Sequence, residues 1–400
     1  MPVTDSSSVP SVSYGELVRL FLRLSLTAFG GPVAHIAMGE DEIVTRRKWL
    51  TREHYLDLVS ATNLIPGPNS TEVMIHVGYV MKGLPGALVT GICFIGPAFL
   101  LTLVLAALYM SSGSLPEATA LLWGIKPVIV AIIAQVGYRL AMTALKNRAL
   151  WVLFVGAALV LWLTPLPEVL VMLATGVIYA LLTSRLDGIG AWVGLMLPLA
   201  EAGQRAPLLV QVTQSAPPGL WDIFFYFLKI GSVLFGSGYI LITYIQQDLV
   251  NGFGWISGQQ LLDAVAIGQV TPGPVSTAAT VVGYIVASWP GAVVATIGVF
   301  LPSFVLVILT APLIPKMRQV KFLSAFLSGV NAGVIAAILI TLVDLTGAAL
   351  RTLDGSGWSP VAIGLAVVAL LLLIRYKINA TWLIVAGGVI GLVAGAAGMG

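Results

Sequence analysis

The second half of this chain repeats the first. Residues 29–71 return at 235–277 with a constant displacement of 206. Phe29-Gly30 becomes Phe235-Gly236, Trp49 becomes Trp255 and Asp57 becomes Asp263. Pro66-Gly67-Pro68-Asn69-Ser70-Thr71 becomes Pro272-Gly273-Pro274-Val275-Ser276-Thr277. After a one-residue deletion, Gly78-Tyr79 aligns with Gly283-Tyr284, Pro85-Gly86 with Pro290-Gly291 and Pro97 with Pro302. Each half must therefore build a similar unit. A duplicated half in a very apolar chain is the usual build of a secondary transporter, with the site between the repeats.

Composition sets the medium. Apolar residues make up 58% of the 400 and charged residues 9%, against roughly a quarter charged in soluble domains. So few charges cannot cover a water-exposed surface, and an integral membrane protein is expected. The single cysteine, Cys93, excludes an intramolecular disulfide and a thiolate metal site. The net charge of +3 is modest, and no basic-aromatic stripe points to nucleic acid. Residues 1–13 lack the basic and apolar regions of a signal peptide and are expected to form a flexible tail.

Apolar runs long enough to span a bilayer lie near 84–110 and 117–143, with shorter ones near 149–164 and 168–184. The order returns at about 290–314, 322–348, 358–374 and 380–398. The expected organisation is a first repeat at 14–185, a linker at 186–219 and a second repeat at 220–400. Within the linker, Ala191–Ala200 is apolar enough to lie on the membrane surface. Ahead of the spanning helices each half carries an irregular region, 14–82 and 220–288, interrupted by Pro-Gly-Pro. Helical patterning at 51–64 and 69–81 gives pieces of roughly 20 Å, too short for a core of about 30 Å. They suit either a re-entrant hairpin or one helix broken at mid-depth, buried in protein or lining a wet cavity.

Loop charges set the relative orientation of the halves. The turn 46–52 carries Arg46, Arg47, Lys48 and Arg52, and its twin 252–258 carries none. The loop 111–116 has none, whereas 316–321 carries Lys316, Arg318 and Lys321. Likewise 165–168 has none, and its counterpart carries Arg375 and Lys377. Because Lys and Arg mark the cytoplasmic side, matching loops fall on opposite faces and the repeats are expected to be inverted. If 51–82 re-enters, Arg185 falls inside, and Arg351 is the loop charge on the wrong side. The fold class expected is an all-α polytopic membrane protein of two inverted-topology repeats. Each has a broken or re-entrant region followed by about four spanning helices.

The Pro-Gly-Pro turns are the strongest chemical signal. Proline removes a donor and clashes within a helix, and glycine permits the tight turn. The next helical piece starts at Asn69-Ser70-Thr71 or Val275-Ser276-Thr277, where free N–H groups, the dipole and hydroxyls form an anion cradle. Gly30-Gly31-Pro32 offers a second start, whose twin Gly236-Ser237-Gly238 loses the proline. The competing reading is a pair of kinks for close helix packing.

Ionisable residues inside a membrane are usually functional. The first half holds Arg19, Arg23, His35, Glu40, Glu72, His76 and Lys126. In the second half Glu72 faces the deletion, His76 is replaced by an apolar residue and Lys126 becomes Asn331. The first half is therefore read as the chemical half, with Lys229 and Asp263 joining the cradle from the second. Arg19 and Arg23 also suit an interfacial amphipathic helix, and Glu40-Asp41-Glu42 a solvated loop. Glu72 and His76 share a helix face, as a functional pair or an intrahelical one that satisfies itself. No metal site is expected from His35, His54 and His76, about twenty residues apart. Phosphate-loop, nucleophile-elbow and zincin motifs are absent, so an enzyme is not expected.

Phe29-Gly30-Gly31-Pro32-Val33-Ala34-His35, the basic turn ending Lys48-Trp49-Leu50, and Leu64-Ile65-Pro66-Gly67-Pro68 resemble the signature of the chromate ion transporter family, over nearly the whole chain. The second half departs from it with Gly238 and Leu241 in place of Pro32 and His35. The resemblance implies export of chromate, with sulfate as the related oxyanion, from the bacterial cytoplasm across the inner membrane, with no cofactor. The bilayer is the expected surrounding, and a homodimer is left open. A tetrahedral dianion needs several N–H or O–H donors and one or two cations. The candidate binding residues are Gly30, Gly31, Pro32, His35, Pro66, Gly67, Pro68, Asn69, Ser70 and Thr71. Gly236, Ser237, Pro272, Gly273, Pro274, Ser276 and Thr277 join them, with Arg23 or Lys126 as countercharge. Glu72, His76 and Glu40 are the candidates for proton coupling.

Overall fold

The computed structural model describes residues 12–29, 31–112, 115–183, 218–235, 238–313, 321–353 and 357–397. Outside them lie Gly30, Gly236, Ser237, Arg185, Lys316, Arg318, most of the expected linker and nearly all of the tail. Every regular element among the described residues is helical. The first half comprises α1 (Tyr14–Thr27), α2 (Gly31–Glu40, extended by a π-helical turn at Asp41–Arg46), α3 (Arg52–Thr62) and α4 (Asn69–Ser112). α5 (Pro116–Ala144), α6 (Arg148–Leu163) and α7 (Glu168–Thr183) complete it. The second half gives α8 (Leu220–Ser232), α9 (Ile240–Tyr244, with π-helical Ile245–Gly252), α10 (Gly258–Val270) and, after a 3-10 turn at Val275–Thr277, α11 (Ala278–Thr310). Then follow α12 (Lys321–Ala349), α13 (Pro360–Arg375) and α14 (Ala380–Ala396). Each helix thus has a twin, α1 with α8 through to α7 with α14.

Local chemistry sets the boundaries. Ser13 and Glu16 close a capping box on α1, and Ser257 and Gln260 do the same on α10. Thr51, the counterpart of Ser257, caps α3 by accepting from the His54 amide. Pro116 and Pro360 occupy the first turns of α5 and α13, where the lost N–H costs nothing.

The long helices α4 and α11 are each two limbs. At Lys82 (φ −142°, ψ 18°) and Gly83 (φ 62°, ψ −149°) the backbone leaves the helix. Ala287 and Ser288 repeat this with φ −142°, ψ 33° and φ 58°, ψ −155°. The chain folds back there, because the Thr90 hydroxyl donates to the Met74 carbonyl at 3.0 Å. Gly78 and Gly86 meet backbone to backbone with no room for a side chain. In the second half Thr280 and Thr296 hydroxyls bond at 2.8 Å, and Gly283 meets Gly291. Limb 69–81 and limb 84–112 are therefore antiparallel neighbours. The fold-back has the physical cause that glycine at both contact points admits the approach.

The halves interlock. α12 packs on α6 and α7, while α5 packs on α13 and α14, and α4 meets α11 at the centre. Small residues set these contacts: Gly124 lies against the backbones of Gly387 and Gly391, and Ala120 against Gly391 and Gly395. Rising numbers on α5 meet falling ones on α14, so the two helices run antiparallel. Such close approach by glycine is the usual basis of helix association in lipid. Among the described residues four helical stretches, within α4, α5, α11 and α12, are long and apolar enough to cross a membrane. Outward apolar side chains such as Val152 (70% exposed), Leu163 (74%) and Trp382 (71%) have no favourable surroundings except hydrocarbon. The chain is a multi-pass membrane protein.

Candidate functional site

The site forms where the two Pro-Gly-Pro turns are anchored. The Gly67 N–H donates to the Leu234 carbonyl at 2.8 Å, and the Gly273 N–H donates to the Ala28 carbonyl at 3.0 Å. Gly273 and Leu234 are the twins of Gly67 and Ala28, so each half clasps the other by the same bond. Gly67 (φ 150°) and Gly273 (φ 107°) adopt backbone angles that other residues rarely take. Pro66, Pro68, Pro272 and Pro274 keep the flanking turns out of regular helix. Beyond the turns, Asn69 starts α4 and Val275-Ser276-Thr277 forms the 3-10 turn, which packs on α4. The Thr71 and Glu72 amides turn in to the Pro68 carbonyl at 2.8 and 3.1 Å. Helix geometry gives the Asn69 and Ser70 amides no acceptor within α4.

Polar atoms collect here without partners. Thr71 Oγ1, both Glu72 carboxyl oxygens, His76 Nε2, and the hydroxyls of Ser25, Ser276 and Ser303 are buried and make no hydrogen bond. An added β-carbon on Gly67 would strike the Glu72 carboxyl group and approach the Ser303 hydroxyl to 2.8 Å. One on Gly273 would strike the Ala98 methyl, with the Ser25 hydroxyl 3.8 Å away, and one on Gly238 would lie 3.2 Å from the Ser276 hydroxyl. Most buried polar groups in folded proteins are paired. A concentration of unpaired hydroxyls around two helix starts is what a polar guest would satisfy.

His35 ties the halves together at one atom. Its Nε2 lies 3.1 Å from the Ala28 carbonyl, the same oxygen that accepts from Gly273. A carbonyl only accepts, so Nε2 carries the proton, and Nδ1 at 3.2 Å from Ser70 Oγ accepts from that hydroxyl in the neutral ring. Phe94 packs edge-on against the ring. Gly31 (φ 75°) opens α2 within 3.4 Å (from an added β-carbon) of the Tyr239 hydroxyl, which accepts from Gln269 Nε2 at 2.9 Å. Pro32 follows in the first turn of α2. Sequence reading missed Ser25, Ser303, Tyr239 and Gln269. Ser303 alone carried a visible signal, as a hydroxyl in a long apolar run.

Comparison with known proteins bears on this geometry. The family model described as "Chromate transporter" matches residues 15–180 and again 221–392. The chain belongs to the chromate transporter family. The chromate transport protein of Cupriavidus metallidurans is 31% identical over 397 residues, covering 97% of this chain and 94% of that one. The chromate transport protein of Pseudomonas aeruginosa is 33% identical over 402 residues, with the same shares covered. A probable chromate transport protein of Synechococcus elongatus is 30% identical over 85% of this chain and 88% of its own length. No solved structure matches.

Within this family framework, the expected countercharges are engaged by carboxylates. Arg23 is 60% exposed on its side chain and lies 3.6 Å from Glu42, which also holds Arg46 at 3.3 Å and Arg47 at 3.4 Å. Lys126 pairs with Asp263 at 3.0 Å, Glu40 with Arg52 at 3.0 Å and Lys229 with Asp248 at 3.7 Å. Glu72 and His76 share a face, but His76 Nδ1 lies 3.1 Å from the Glu72 backbone carbonyl and both carboxyl oxygens stay unpaired. The self-satisfying side-chain pair is therefore not formed.

Proposed function

We propose that this protein exports chromate from the bacterial cytoplasm across the inner membrane, by alternating access between two inverted halves. The observation that carries the reading is the reciprocal clasp of Gly67 on Leu234 and Gly273 on Ala28, which gathers unpaired buried hydroxyls from both halves. Chromate is a tetrahedral dianion, and the chromate transport proteins of comparable length named above point to the same cargo. Thr71, Ser276, Ser303 and Ser25 offer hydroxyl donors, and the starts of the helical pieces at Asn69 and Val275 offer amides and a favourable dipole.

Inverted topology is supported by helix directions. Short connections at 145–147 and 164–167 make α5 and α7 run the same way. α14, the twin of α7, runs against α5 through Gly124, Gly387 and Gly391. Twins running in opposite directions agree with the exchanged positive loops.

Glu72 supplies the coupling. A carboxylate beside Thr71 repels a dianion, whereas the same group carrying a proton donates a hydrogen bond to it. Binding a proton and binding chromate at Glu72 are thereby linked, so that a proton travels out with the anion. His76, one turn on, is placed to share the proton. The test is uptake of radiolabelled chromate into everted vesicles, which carries chromate in the export direction. An acid exterior should accelerate uptake. Excess sulfate should slow it only if sulfate shares the site. Absence of chromate-specific uptake would overturn the proposal, and uptake of sulfate alone would replace it with a sulfate carrier.

A further inference from the structure

α3 and α10 are twins with matching residues at key positions, and yet they sit differently. Leu56 on α3 is 45% exposed, whereas Leu262 on α10 is 0% exposed. Asp57 is exposed, whereas Asp263 is 5% exposed. From Leu261 to Gln269 every residue of α10 is buried; on α3 only Tyr55, Leu58, Ala61 and Thr62 are. Leucine against leucine and aspartate against aspartate cannot account for this by composition. The difference is one of docking. α10 packs on α4, α5, α12 and α14 as well as on α11, whereas the main packing of α3 is on α2 and α4 of its own half.

What holds α10 down is specific. Lys126 Nζ on α5 lies 3.0 Å from Asp263 Oδ1 and donates to Gln259 Oε1 at 2.6 Å. The Tyr109 hydroxyl donates to Asp263 Oδ2 at 2.9 Å. Gln259 Nε2 reaches across to the Ala348 carbonyl of α12 at 2.6 Å. The corresponding place on the α3 side is open. There a cavity of about 350 Å³ is lined by Asn63, Thr143, Lys146, Asn147 and Asn331, among others. Asn331 is the twin of Lys126 and Asn63 that of Gln269, so the cavity occupies the position that α10 fills on the other side. The basic residues Lys146 and Arg148 near its mouth mark it as the cytoplasmic end.

We propose that α3 and α10 are alternating gates, that the Lys126–Asp263 pair latches the α10 gate, and that asparagine at 331 leaves the α3 gate without such a latch. The inference rests on the transport reading and assigns the two access states to two named helices. The conformation described is then closed at α10 and open to the cytoplasm at α3. In the opposite state α3 docks on α5 and α12 with Asp57 facing position 331, and α10 withdraws from Lys126.

The experiment reads conformation, so it succeeds or fails whether or not chromate is carried. In the full chain with Cys93 replaced by serine, single reporters are Thr143→Cys in the cavity and Ala264→Cys on buried α10. A maleimide is applied to both faces of vesicles. The parent should label at 143 and resist at 264. Lys126→Asn should speed labelling at 264 by about tenfold or more and slow it at 143, since a broken buried pair releases the docked state. Asn331→Lys should slow labelling at 143, and adding Asp57→Asn should restore the parent rate. Unchanged rates in Lys126→Asn overturn the latch. If that variant does not reach the membrane, the Asn331→Lys series decides, and slowing that ignores Asp57→Asn overturns the proposal.

Discussion

The carboxyl group of Glu72 occupies the space that a side chain at Gly67 would need. The tip of the first Pro-Gly-Pro turn and the first helical turn after it are thus one fitted unit. Gly67→Ala should displace Glu72 and strain a backbone at φ 150°. Chromate uptake should fall by about tenfold or more, as expected when a hydrogen bond to a charged guest is lost. Membrane insertion, read by yield and monodispersity, should be unchanged; normal uptake at normal yield would show that the turn does not border the path.

Thr71 and Ser276 come from different halves and both hydroxyls are unpaired. Thr71→Val with Ser276→Ala should raise the chromate concentration for half-maximal uptake by about a hundredfold or more, at roughly 1.5–3 kcal/mol for each bond to a charged group. Ser70→Ala should act differently, because its hydroxyl serves His35 and its loss loosens the clasp at Ala28. A double variant with parent affinity would remove the hydroxyls from the binding site.

Glu72→Gln keeps a hydrogen-bond donor next to Thr71 but carries no exchangeable charge. In everted vesicles the parent should respond to an acid exterior with faster uptake, and Glu72→Gln should show the same rate with and without the gradient. Binding of chromate, measured by equilibrium dialysis on purified protein, should persist. A gradient response equal to the parent's would pass the coupling role to His76.

Ser288 holds φ 58° and ψ −155°, a region nearly restricted to glycine, where its twin Gly83 sits. Such strain costs of the order of 1–3 kcal/mol. Ser288→Gly should therefore raise the thermal unfolding midpoint in detergent. A lowered midpoint would mean that the serine side chain makes a compensating contact.

Opposite orientation of the halves can be read directly. In a chain lacking Cys93, Lys48→Cys should react with an impermeant maleimide only from the cytoplasmic face, and Phe253→Cys only from the other. Phe253 is 39% exposed in the turn equivalent to that of Lys48. Labelling of both from one face would make the repeats parallel.

The sequence by itself determined the medium, the duplication and the places where helices break. Those are local or additive properties: nine per cent charged residues cannot cover a wet surface, and a proline ends a hydrogen-bond ladder wherever it falls. The helical pieces at 52–62 and 69–81 were legible for that reason, and so were Thr71, Glu72 and Ser276 as candidates. What the sequence left open was the set of partners. Arg23 and Lys126 read as free cations until Glu42 and Asp263 were found against them, because pairs 19 and 137 residues apart leave no periodic trace. The carbonyls of Ala28 and Leu234 carry no side-chain signal, and only the interlocking of the halves brings Gly273 and Gly67 to them. The widest gap between sequence and structure lies at Leu56 and Leu262. The same residue type in the same local motif is half-exposed in one half and fully buried in the other, because burial belongs to the surface a helix docks on and not to the helix.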